Sequence, residues 1–221
     1  METNQQNTPN ASEPKVSYSD EVKNFYKGDF KEILTAIFKN PIDGTFNIFK
    51  NPSNKAYLQS IILFSSVFVL YLVGGYIIAG EMRDYLKVSH FIKISLIPVV
   101  LMLLITVVSF GLKSISGKSD FKAELLTGGL AGIPIGLLVL IIFIIKMFAN
   151  EDNIFRLFRD PEEVGVIGGL LLMYFLLMLI NIVQQSLKAS GTKDALAWYL
   201  SPLLILASIY LTYQITVNIL F

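Results

Sequence analysis

One histidine and no cysteine bound the side-chain chemistry open to this 221-residue chain. His90 stands alone, so the helical zinc-protease motif, which needs two histidines, is excluded. A serine–histidine pair would have to use His90, and no Gly-x-Ser-x-Gly turn exists to present the serine. The Gly-x-Gly-Asp string of intramembrane aspartyl proteases is absent. The adjacent carboxylates Glu162 and Glu163 lack the arginine four residues on that a prenyl-type membrane protease carries. They follow Asp160 and Pro161 and read as helix-capping charges. Without cysteine there is no disulfide, thiol nucleophile or cysteine-based zinc ribbon. The expectation is a chain with no catalytic, cofactor-binding or metal-ligating set, and so not an enzyme. A formal charge of +1 gives no bulk case for nucleic acid as a partner.

The elements available to position any site are apolar. The chain is 53% hydrophobic and 16% charged, against roughly 25% charged in soluble domains. The charge deficit is concentrated in five stretches free of Asp, Glu, Lys and Arg: 56–80, 94–112, 125–145, 164–187 and 195–221. A helix needs about 20 apolar residues to cross a hydrocarbon core about 30 Å thick, and inside lipid the backbone must satisfy its own hydrogen bonds. The expected fold is therefore an all-α integral membrane protein, a five-transmembrane-helix bundle over residues 56–221 with its last span at 195–220. The first apolar run starts too far along the chain for a cleavable signal peptide, so the first span is expected to act as the insertion signal. None of the five stretches holds an ionisable residue, which an ion-coupled transporter usually needs. The polar residues within them, Asn181, Gln184 and Gln185, then Gln214, Thr216 and Asn218, read as interfacial or interhelical hydrogen-bonding groups, with a polar pathway as the alternative.

Lys and Arg set the orientation. Lys15, Lys23, Lys27, Lys31, Lys39, Lys50 and Lys55 precede the first span, Lys113, Lys118 and Lys122 follow the second, and Lys188 and Lys193 follow the fourth. The other side holds Arg83, Lys87, Lys93, Lys146, Arg156 and Arg159 with an acidic cluster around Asp160. This asymmetry predicts a cytoplasmic N-terminus and a C-terminus on the opposite side.

Residues 1–17 are polar and are expected to be a disordered tail. Residues 18–55 form a cytoplasmic amphipathic helical segment. Phe30, Ile33, Leu34, Ile37 and Phe38 recur at helical spacing between charged residues, and Asp29 with Glu32 could form a capping box. The pentad Ile-Phe-Lys-Asn-Pro then occurs twice, at 37–41 and 48–52. Proline cannot continue a helix yet suits its first position, with asparagine before it as cap. Each Asn-Pro is thus expected to stop one helix and open the next: a short helix bearing Ile42, Phe46 and Phe49, then the first span. The apolar residues Phe30, Ile33, Ile37, Phe38, Phe46 and Phe49 are the candidate membrane-surface or partner face. Ser119-Asp120, Asp160-Pro161 and Thr192 with Asp194 mark the starts of spans three, four and five, and residues 150–163 hold enough apolar side chains for one short interfacial helix.

Small residues at four-residue spacing let helix backbones approach closely. Gly128, Gly132 and Gly136 do so in span three, Gly165 and Gly169 in span four, and Gly75 with Ala79 in span one. They serve either internal packing or a homo-oligomer face. Gly132 with Pro134 also makes span three easy to kink.

This layout, a cytoplasmic N-terminal segment followed by five closely spaced spans, resembles the YIP family of five-span membrane proteins. Three local stretches are similar to its bacterial-type branch: "NPIDGTFNIFKNP" before span one, "GKSDFKAELLTGGLAGIP" leading into span three and "DALAWYLSPLLIL" entering span five. The likeness covers about residues 30–221. The Asp-Leu-Tyr-Gly-Pro signature of the eukaryotic branch is missing, so a vesicle-trafficking role is not implied. The resemblance implies a non-enzymatic protein of the bacterial inner membrane that acts through partners or on the bilayer, and it transfers no catalytic residue. Two functions stay open: a scaffold or adaptor organising membrane partners or lipids, working through the amphipathic segment and the glycine face of span three, and a channel or permease subunit gated at the Gly-Pro site. The expected partners are the lipid bilayer, other membrane proteins and a second copy of the chain.

Overall fold

A computed structural model describes residues 18–53, 55–115, 120–148 and 161–220. The polar tail, the interfacial helix within residues 150–163, and the Ser119 and Asp160 caps lie outside the described residues.

The described residues open with one continuous helical run: α1 (Tyr18–Asn24), a π-helical turn (Phe25–Asp29) and α2 (Phe30–Lys39). The expected capping box at Asp29 does not form. Asp29 is helical and makes no side-chain cap bond; its carboxylate instead accepts a 2.9 Å hydrogen bond from Gln59 Nε2 on the first span. Tertiary contact overrides the local signal, because Phe25, Ile33 and Ile37 are all buried and need one unbroken helix to reach the bundle.

The repeated pentad makes the same stop twice. Asn40 (φ −140°, ψ 73°) ends α2 and Asn51 (φ −124°, ψ 65°) ends α3 (Asp43–Lys50). Both precede a proline, which disfavours the helical conformation in the residue before it. Asn40 Oδ1 accepts a bond from the Asp43 amide at 3.2 Å, so Asn40 caps α3 as expected, although the helix starts two residues beyond Pro41. Gly44 permits the fold-back: a Cβ there would lie 2.6 Å from the Ala36 carbonyl oxygen. Pro52, by contrast, does not open the next helix. That helix starts only at Ala56, after a turn in which Ser53 accepts from the Lys55 amide at 3.1 Å with its side chain and from the Ala56 amide at 2.8 Å with its carbonyl.

Five long apolar helices follow: α4 (Ala56–Ala79), α5 (Val88–Ile115), α6 (Phe121–Phe148), α7 (Pro161–Ala189) and α8 (Asp194–Leu220). All five are long and apolar enough to cross a membrane. The fold is an all-α, five-span integral membrane bundle. α5, α6 and α7 run several residues past the charge-free stretches that mark them in the sequence. α6 is the most enclosed span, packed against α4, α5 and α7; α8 closes the bundle beside α5 and α7. α7 ends in a Schellman turn: Gly191 (φ 92°) donates to Lys188 O at 2.9 Å and Thr192 to Leu187 O at 3.1 Å. Pro202 cannot bond the Trp198 carbonyl, and Ser201 Oγ donates to that oxygen at 3.4 Å.

The glycines of α6 are internal. A Cβ on Gly128 would sit 2.5 Å from the Met102 carbonyl oxygen, on Gly132 2.5 Å from Met102 Cε, and on Gly136 3.3 Å from Leu70. This corrects the idea that they form an outward working surface: α4 and α5 cover them. On α4 the packed glycine is Gly74, against Val139, while Gly75 and Gly169 meet nothing. Gly169 is exposed, and a Cβ there would meet no other side chain or helix among the described residues. The surroundings of Gly165 lie outside the described residues. Pro134 is buried inside α6.

Candidate functional site

Two of the three helices that overrun their apolar stretches, α5 and α6, bring charge into the bundle. In the last turns of α5, Ser109 and Lys113 are four residues apart and share a face. In the first turns of α6, Glu124 and Thr127, three residues apart, also share a face. Ser186 of α7 completes the group. Lys113 Nζ lies 2.7 Å from Glu124 Oε1 and 2.7 Å from Ser186 Oγ. Ser109 Oγ donates to Glu124 Oε2 at 3.0 Å. Thr127 Oγ1 lies 3.3 Å from Glu124 Oε2 and 2.6 Å from Ser186 Oγ.

One proton assignment satisfies the ring. Lysine has only donors and an ionised carboxylate only acceptors. Ser186 therefore accepts from Lys113 and gives its own proton to Thr127, and Thr127 gives its proton to Glu124. Lys113 is 5% exposed and Glu124 4%. Such a pair is tolerable only because each charge is matched and further hydrogen-bonded. It corrects the expectation that no ionisable residue lies within a span. Its sequence signal is the placing of opposite charges at either end of the short α5–α6 connection. Defining spans by the absence of charge makes those two residues span edges by construction.

A serine 2.7 Å from a lysine is also the spacing of a Ser–Lys nucleophile pair. Here the ammonium is engaged by Glu124 as well, and Ser186 is 1% exposed. The arrangement ties α5, α6 and α7 together rather than presenting a nucleophile.

The amphipathic segment divides into two faces. Ile33 and Ile37 are buried against Ile62, Leu63, Leu126 and Ile182 of the spans, so these two do not belong to a free surface. Phe30 is half-buried and stacks on Phe25 and Tyr26; Tyr26 bonds through its hydroxyl to Ser66 of α4. Phe46 and Phe49 are half-buried, with Lys50 over the Phe46 ring at 5.5 Å. Phe38 and Ile42 remain outside, 45% and 56% exposed, at the α2–α3 elbow. Asn181 of α7 pins this elbow, donating to the Pro41 carbonyl at 2.6 Å. Gln185 supports Asn181 from one turn on, at 3.1 Å. A cavity of 300 Å³ lies between the elbow and Tyr174, Leu177 and Met178 of α7. On α8, Gln214 and Asn218 bond along their own helix, to Tyr210 and Gln214.

No family model, characterised protein or solved structure matches this chain.

Proposed function

We propose that this chain is a non-enzymatic membrane scaffold or adaptor whose working surface is the α2–α3 elbow. The observation that carries the reading is an exposed apolar pair, Phe38 and Ile42, on an elbow fixed to the bundle by Asn181. An apolar surface held rigid loses little entropy when a partner or a lipid surface covers it. The resemblance to the YIP family supports the same reading. The half of the bundle around Met102 favours it over a channel subunit, because Met102, Ile105, Leu130, Ala131 and Ile205 are fully buried there. Of the polar residues that sequence offered for a pathway, Asn181 and the Gln185 amide nitrogen are engaged at the elbow, and Gln214 and Asn218 bond along their own helix.

A photo-reactive side chain at Ile42 tests the reading in native membranes. The expected result is one discrete adduct, absent when the same group replaces Tyr85 at the opposite end of the bundle. Equal labelling at both sites, or none at Ile42, contradicts it.

The Lys and Arg asymmetry supports a cytoplasmic N-terminus, and the resemblance to the bacterial-type branch of the YIP family supports a bacterial inner-membrane location. The chain has no native cysteine, so single cysteines report topology. Lys193→Cys should react with an impermeant maleimide only after lysis, and Tyr85→Cys in intact cells. The reverse pattern inverts the orientation.

A further inference from the structure

All five spans contribute to one apolar cavity of 440 Å³ in the opposite half of the bundle from the ion pair. Its walls include Tyr71 of α4, Pro98 and Leu101 of α5, Pro134 and Leu138 of α6, Leu176 of α7 and Ile209 of α8. Pro98 lies four residues into the charge-free stretch of α5 that begins at Ile94, about 6 Å along the axis, and so inside a hydrocarbon core about 30 Å thick. The space has a local cause. Glycine lets α6 press against α5 at Gly128 and Gly132. At the next turn each helix carries a proline, whose ring clashes with its own preceding turn, and the close approach ends.

The lining offers no free polar side chain to a ligand: the only side-chain hydroxyl, that of Tyr71, already donates to the Ile135 carbonyl at 3.0 Å. The cavity opens sideways, because α5 and α7 scarcely touch. The rim residues Ile94 and Leu172 are 44% and 60% exposed. At that depth a lateral opening meets only lipid tails. With about 30 Å³ for a water-sized group, and a methylene being of similar size, the cavity takes on the order of fifteen methylenes, one acyl chain.

We infer that this cavity binds a single acyl chain of a bilayer phospholipid, which enters between α5 and α7 and forms part of the packed bundle. The inference needs only the membrane fold and is independent of the scaffold reading. The purified chain is placed in nanodiscs containing a phosphatidylcholine with a diazirine near its chain end, irradiated, and mapped by peptide mass spectrometry. Pro98, Ile135 and Leu179, the buried floor, should be labelled along with the outward-facing Leu203 and Tyr210. Leu172→Trp, at the exposed rim, and Ile97→Trp, in the wall, should each reduce floor labelling to background while Leu203 and Tyr210 keep theirs. Labelling confined to the outer residues in the wild-type protein overturns the inference. So does floor labelling that both tryptophans leave unchanged, or a cross-linked dimer through α5 and α7 in place of lipid adducts.

Discussion

Lys113→Met should lower the unfolding free energy by about 3–5 kcal/mol, and Glu124→Gln by a similar amount, because each leaves a buried charge without its counter-ion. In Lys113→Met the Glu124 carboxylate keeps two hydroxyl donors, Ser109 and Thr127, but no cation. In Glu124→Gln the ammonium keeps Ser186 alone among its present partners. The double variant Lys113→Met/Glu124→Met should recover most of the loss, since a buried ion pair replaced by apolar residues of similar volume is often neutral. Steric-trap unfolding in bicelles measures all three. Single losses under about 1 kcal/mol would mean the two residues are solvated and the ring is not closed. Additive losses in the double variant would mean they do not interact.

The second large effect is steric. Gly128→Ala should cost about 3 kcal/mol, at the upper end of overpacking costs, because the new methyl group meets a backbone carbonyl that cannot turn away. Gly132→Ala meets the far end of the Met102 side chain and should cost about 1 kcal/mol. Gly169→Ala meets nothing and should be within about 0.5 kcal/mol of wild type. The order Gly128, Gly132, Gly169, read from the same unfolding assay, separates internal packing from a dimer face. If Gly169→Ala changed the oligomeric state while Gly128→Ala left stability untouched, the packing account would be wrong.

Five spans are legible in the sequence because a hydrocarbon core selects for length and against charge, and residues 56–79 answer to both rules. The helix stops are legible at Asn40 and Asn51 because an Asn-Pro pair acts locally. What escapes is settled by distant partners. Asp29 has the spacing of a helix cap, but Gln59, on the first span, is the group that meets it. Ile37 and Phe38 are neighbours in one apolar stripe, and only packing against α4, α6 and α7 turns Ile37 in and leaves Phe38 out. Lys113 and Glu124 look like loop charges until helix lengths are known; three more residues on α5 and four on α6 place them inside the bundle.

The scaffold reading rests on the elbow, and co-purification in native-membrane nanodiscs tests it most directly. Phe38→Glu/Ile42→Glu alters only exposed side chains, whereas Ile37 is core and would confound the result. The account predicts a protein or lipid retained in fixed ratio by the wild-type chain and lost from the double variant, with both unfolding alike. Retention of the same partner by a stably folded double variant, or a wild-type chain that retains nothing in fixed ratio, would contradict it.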